Sequence, residues 1–164
     1  MTKSGGETQF ANMFRAYDAL SPHLRQKIEP LHARHSFQYS RALKGLPPMK
    51  PEEEARVPSI NHPLVRGHRN GRRSIYVSPP LMECVVGWSE VESRALFNEL
   101  IEHATRSEFV YRHRWHAHDV VMWDNRCTIH CVTPCDTTRE RRVMHRTPLL
   151  GTDPVVGPND QAYF

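Results

Sequence analysis

Apolar residues recur along this chain in two rhythms. Phe10, Met13, Phe14, Tyr17 and Leu20 step by three and four, which predicts an amphipathic helix over residues 10–20. Leu24, Ile28 and Leu31 continue at that step behind Ser21-Pro22, with serine as N-cap and proline in the first helical position. Pro30 ends or bends this second helix. A capping box at Ser89-Glu90-Val91-Glu92 opens a third, running to about Thr105 through Ala95, Leu96, Leu100, Ile101 and Ala104. Elsewhere the rhythm is two. Residues 64–66 and 74–77 flank Asn70-Gly71 and predict a β-hairpin. Residues 109–115, 120–123, 127–132 and 142–149 are rich in aromatic and β-branched side chains and predict four strands. Residues 44–63 have neither rhythm, five prolines (47, 48, 51, 58 and 63) and the acidic run Glu52–Glu54, so they predict a surface loop. Helices, hairpin, helix and then strands describe one α+β domain over residues 1–164, ending in an antiparallel sheet.

Composition narrows the function classes. Hydrophobic residues make up 38% and charged residues 24% of the 164, which suits a soluble protein with a real core. No apolar run approaches the ~20 residues needed to span a bilayer. Residues 1–7 hold no apolar signal core, so a cytoplasmic location and no membrane partner are expected. Cys84, Cys127, Cys131 and Cys135 lack paired Cys-x-x-Cys spacing and read as reduced thiols. A net charge of +4 permits weak attraction to anions. It does not make a nucleic-acid binder, because the arginine-rich stretches are interleaved with acids and lack regular stacking aromatics.

The candidate chemistry lies near the end. Trp123-Asp124-Asn125-Arg126-Cys127-Thr128-Ile129-His130 closes a strand-like run on a histidine. Arg141-Arg142-Val143-Met144-His145-Arg146 follows, with an arginine sixteen residues beyond that histidine. Imidazole is a common metal ligand, and the planar guanidinium fork matches a carboxylate and stays charged. Arg142 and Arg146 are evenly spaced and so predicted to share a sheet face.

These two segments closely resemble the C-terminal signature of the iron(II)/2-oxoglutarate-dependent dioxygenases of the TauD/TfdA family. Other segments resemble the same family: Gly5-Gly6-Glu7-Thr8, Ala16–Leu20, His62–His68 with Gly71–Arg73, and His103–Phe109. The similarity runs from about residue 5 to residue 155. It implies part of a double-stranded β-helix (jelly roll) with flanking helices. It implies Fe(II) as cofactor and 2-oxoglutarate as cosubstrate. His130 would bind iron, and Arg146 would grip the distal carboxylate of 2-oxoglutarate, assisted by Thr8 and Arg142. The implied reaction hydroxylates a small organic substrate of anionic class, releasing succinate and CO2.

Two departures are visible. The family's His-x-Asp/Glu motif, source of the other two iron ligands, occurs nowhere in this sequence. His118-Asp119 stands where the family has Gly-Asp, so His118 is expected to accept a glycine-type backbone conformation. The alternative reading is therefore a catalytically inactive, truncated remnant acting as a binding or oligomerisation module. Sheet edges left unpaired would favour a homo-oligomer. A third reading, a zinc protein, would draw on His113, His116 and His118 or on the Cys127/Cys131/Cys135 cluster.

Overall fold

A computed structural model describes residues 5–136, 138–139, 141–152, 154–158 and 160. Strand β1 (Thr8–Asn12) leads directly into helix α1 (Met13–Asp18). The helix expected over 10–20 is thus half strand. Asn12 decides the boundary, because its side chain accepts from the Arg15 backbone N–H at 3.1 Å and caps α1. Phe10 had the spacing of a helical residue, but it sits one side of that cap, paired in a sheet. Helix α2 (Pro22–Ile28) starts at Ser21 with proline in its first turn and stops before Pro30, as the sequence predicts.

Strand β2 (His32–His35) and helix α3 (Phe37–Leu43) follow. Neither was expected, because β2 buries Ala33 and His35, and histidine does not register as apolar in a pattern search. The expected loop at 44–63 contains helix α4 (Pro51–Arg56) and strand β3 (Ile60–Pro63). Helix α4 buries nothing. Proline at its start and three glutamates in its first turn stabilise it through φ and the helix dipole, which leaves no apolar stripe to read.

Strands β4 (Val65–Gly67) and β5 (Arg73–Ile75) form the expected hairpin, with Gly71 at φ +77 in its turn. Strand β6 (Met82–Val85) precedes helix α5 (Glu90–Ala104), whose capping box at Ser89 and Glu92 is formed as predicted. Ala95 proves exposed. The buried stripe is Ser93, Leu96, Phe97, Leu100, His103 and Ala104. Ser93 is tolerated there because its hydroxyl accepts from Val85 N–H at 2.9 Å and donates to the Ser89 carbonyl at 2.7 Å. His103 is likewise satisfied, with Nε2 2.8 Å from the Ala16 carbonyl of α1.

Of the four strands expected at the end, two form. A 3-10 turn (Ser107–Phe109) leads into β7 (Val110–His113), and β8 (Thr128–Val132) follows a long irregular stretch. Residues 120–123 and 141–150 have no regular structure. Sheet order is β7-β1-β8 in one antiparallel sheet and β3-β2-β6 in another, with β4-β5 as a separate pair. Helices and antiparallel sheets are therefore mixed, in keeping with the α+β class. The core gathers Met13, Ala16, Tyr17, Ile28, Leu64, Val65, Ile75, Met82, Val85, Phe97 and Leu100, all at or near zero exposure. No helix among the described residues is long and apolar enough to cross a membrane.

Candidate anion-binding site

Register in the β7-β1-β8 sheet decides which side chains meet. Thr8 lies opposite His113 and Val132, and Phe10 opposite Tyr111 and His130. Directly opposed residues share a face, so Thr8, Phe10, Tyr111, His113 and His130 project to one side. Ala11, Val110 and Ile129 project to the other, into the core. His130 stands mid-strand rather than at the end of its run.

The start of β1 is held by backbone. Gly5 and Gly6 adopt φ +73 and +74, and a Cβ on Gly5 would collide with the Pro134 carbonyl. Thr133 N–H donates to the Glu7 carbonyl at 2.9 Å, and Gly6 N–H to the Thr133 carbonyl at 3.3 Å. The Gly-Gly pair thus lets β1 begin hard against the chain leaving β8, which fixes Thr8 beside it.

Thr8 is 8% exposed, and its hydroxyl oxygen is a meeting point. Trp115 Nε1 donates to it at 2.9 Å, and Arg142 Nη2 at 3.5 Å. Arg142 also donates from Nε to the Gly6 carbonyl at 3.1 Å. A hydroxyl accepting twice has only its proton left to offer. No acceptor for that proton is found among the described residues. The hydroxyl proton and the remaining guanidinium donors lie close together and partly buried, a chemistry suited to an anion such as a carboxylate.

His130 lies within an aromatic group. Its ring centroid is 5.1 Å from Trp123 and 6.1 Å from Phe10, which are 5.2 Å apart. Partial burial first, and the Arg146 charge second, push its pKa below the usual imidazole value. That favours the neutral ring, the form that ligates metals. The structure thus divides the two arginines. Arg142 reaches Gly6 and Thr8, whereas Arg146 sits near His130. They do not share a strand face as the even spacing predicted, because residues 141–150 form no strand.

The Trp-Asp-Asn-Arg segment is a self-bonded turn. Arg126 Nη2 meets Asp124 at 2.8 Å, Arg126 N–H donates to Asp124 Oδ1 at 2.8 Å, and Trp123 Nε1 donates to Asn125 Oδ1 at 2.8 Å. The Thr128 hydroxyl donates to the Asp124 carbonyl at 2.7 Å. The motif's local work is to launch β8 in register, with Met13 N–H bonded to the Cys127 carbonyl at 3.0 Å.

Metal ligation is where this arrangement falls short. No group of three His, Cys, Asp or Glu among the described residues could hold a metal ion. The zinc reading therefore has no site among them, and His130 is a single candidate ligand where an open iron site needs three. Trp115 was not singled out by the sequence as a contact of Thr8, nor the Gly6 carbonyl as an anchor for Arg142. The signal for Trp115 was its position two residues beyond His113, the cross-strand partner of Thr8.

These residues border one open cleft of about 2370 Å³, lined by residues 5–8, 114–126, 130–132 and 141–152. Small-molecule pockets occupy about 300–1,000 Å³. Val120, Met122, Leu149 and Leu150 on its border are 88–97% exposed, a large apolar surface for a cleft.

Comparison with known proteins follows the same residues. The family model for "Taurine catabolism dioxygenase TauD, TfdA family" matches residues 1–147. The alpha-ketoglutarate-dependent 2,4-dichlorophenoxyacetate dioxygenase of Cupriavidus pinatubonensis is 42% identical over 147 residues, covering 89% of this chain and 51% of its own. The alpha-ketoglutarate-dependent sulfate ester dioxygenase of Pseudomonas putida is 37% identical over 160 residues, covering 93% and 52%. The crystal structure of AAD-2 in complex with Mn(II) and N-oxalylglycine superposes with a TM-score of 0.86 at 41% identity, covering 95% of this chain and 62% of that one. The chain spans about half the length of the curated relatives it matches.

Proposed function

Because this chain belongs to the TauD/TfdA family of dioxygenases, we propose that it supplies the carboxylate-gripping portion of an iron(II)/2-oxoglutarate-dependent dioxygenase, within a double-stranded β-helix. Enzymes of this family take Fe(II) and 2-oxoglutarate, and these relatives act on small organic molecules. The substrate proposed here is a small organic anion, since relatives are named for a phenoxyacetate and a sulfate ester. The products would be its hydroxylated form, succinate and CO2.

The observation that carries this reading is the convergence of Arg142 and Trp115 on the Thr8 hydroxyl, on the sheet face that also bears His130. Thr8, Arg142 and Arg146 bind the dicarboxylate and orient it. Phe10 and Trp123 flank His130, whose pKa is lowered by partial burial first and the Arg146 charge second, towards the neutral imidazole. Iron supplies the redox chemistry in this family, but the described residues bring together only one of the ligands it needs. The chain's own contribution is therefore to bind and position.

A second reading is a binding or oligomerisation module without turnover. The missing three-ligand group and the exposed apolar border of the cleft favour it for these residues alone. Calorimetric titration with 2-oxoglutarate, followed by anaerobic iron(II) titration watched for visible absorption of the chelate, separates the two. Dicarboxylate binding lost in Arg142→Ala and Arg146→Ala supports the proposal. Binding that survives both substitutions rules it out. Binding without a chelate band leaves the gripping role standing for a chain that does not turn over.

A further inference from the structure

Trp115 follows β7 on irregular backbone and is only partly buried, so no ladder pairing of its own fixes its indole. His113 meets that ring edge-on instead, with centroids 4.5 Å apart and planes at 86°. His113 is pinned at both nitrogens. Nε2 donates to Asp119 Oδ2 at 3.0 Å, and Nδ1 accepts from the Tyr111 hydroxyl at 3.2 Å. Asp119 Oδ2 also accepts from the His116 backbone N–H at 2.8 Å, across a turn in which His118 holds φ +72. Side-chain exposure of His113 is 16% and of Asp119 28%, so the pair is shielded enough for its bond to hold a geometry.

We infer that Trp115, held by the His113–Asp119 pair, is a positioning residue that turns the Thr8 hydroxyl into a one-way donor towards a bound carboxylate. The inference rests on the dicarboxylate reading of the cleft. Its physical basis is the limited capacity of one hydroxyl. While the indole N–H and Arg142 occupy the lone pairs of Oγ1, the proton has to point away from both. Remove the indole N–H and the hydroxyl is free to rotate, so part of its time is spent aimed elsewhere. Neither His113 nor Asp119 touches Thr8; they act through the indole alone.

The test uses nitrogen-15-labelled 164-residue chain and its tryptophan indole signals, that of Trp115 being the one missing in Trp115→Phe. In the free protein this N–H is expected to exchange slowly with water, to shift in Thr8→Val, and to lose protection in His113→Ala but not in Asp119→Asn, which keeps an acceptor. Titration with 2-oxoglutarate is expected to saturate the wild type. Trp115→Phe should need severalfold more ligand, because the freed Thr8 hydroxyl spends only part of its time aimed at the carboxylate. Trp115→Phe with Thr8→Val should bind no worse than Thr8→Val alone. A purely structural tryptophan would add its loss to that of Thr8→Val. Additive losses, unchanged affinity in Trp115→Phe, or an unprotected indole N–H each overturn the inference while leaving the dicarboxylate reading intact. A wild type that does not saturate overturns both. Where Trp115→Phe loses backbone dispersion, His113→Phe carries the test, because it keeps a ring against the indole and drops the Asp119 bond. Severalfold weaker binding is then expected, and unchanged binding and protection overturn the inference.

Discussion

On one face of the β7-β1-β8 sheet, Ala11, Val110 and Ile129 join a core in which most side chains are fully buried. On the other face, Thr8, Phe10 and His130 meet side chains delivered by residues 114–126 and 141–150, which have no regular structure among them save two turns. The same three strands thus serve two environments. The inner face is held by many interchangeable dispersion contacts, so shape complementarity governs it. The outer face is held by a few directional polar bonds and ring contacts, each of which matters singly. Stability should therefore reside on one side and ligand affinity on the other.

The sharpest way to break that division is to hollow the inner side. Phe97→Ala is expected to cost about 3–5 kcal/mol, because the phenyl ring is fully buried in α5 and its cavity cannot close. Urea denaturation would show it, and a loss below 1 kcal/mol would mean the core is not the seat of stability. Acid should act on the same body. Burial first, and then the charge of His62, pull His35 down to about 4 from an ordinary 6.5. The unfolded chain takes up that proton before the folded one does. Stability is then complete above pH 6.5 and falls as pH drops towards 4, by about 3 kcal/mol from this group. His35→Asn should flatten the urea midpoint across that window, at some cost in stability at neutral pH.

The outer face should respond in affinity. Arg142→Ala is expected to weaken 2-oxoglutarate by about 1.5–3 kcal/mol, tenfold to a hundredfold, with little change in melting. Equal losses in both would erase the comparison. Smaller is the effect of the turn near the site. His118→Gly should raise stability by about 1 kcal/mol, since φ +72 strains a residue with a Cβ. Least of all, Val120→Ser and Leu150→Ser should stay within about 0.5 kcal/mol of the wild type in unfolding, while reducing any self-association seen by sedimentation.

What was legible depended on the kind of signal. The Ser89 capping box, the Ser21-Pro22 start and the Asn-Gly hairpin each specify a local geometry through contacts within a few residues, and all three formed. The glycine-type φ at His118 was legible only through the family resemblance, which puts glycine at that turn. Strand β1 was not, because Phe10 fits a helical and an alternating pattern equally, and only pairing with β7 and β8 chooses between them. Helix α4, with no buried face, left no periodicity to find.

Residue types and their local spacing determined the helix caps, the turn glycines, the family and the set of residues with suitable chemistry. They could do so because caps and turns are short-range, and because Thr8, His130, Arg142 and Arg146 lie in motifs dense enough to recognise. Which of those residues meet was decided only in three dimensions. Arg142 finds Thr8 from 134 positions away in the chain, and Trp115 from 107. Such contacts depend on strand register and on where irregular backbone comes to rest, and both are set by packing across the whole sheet.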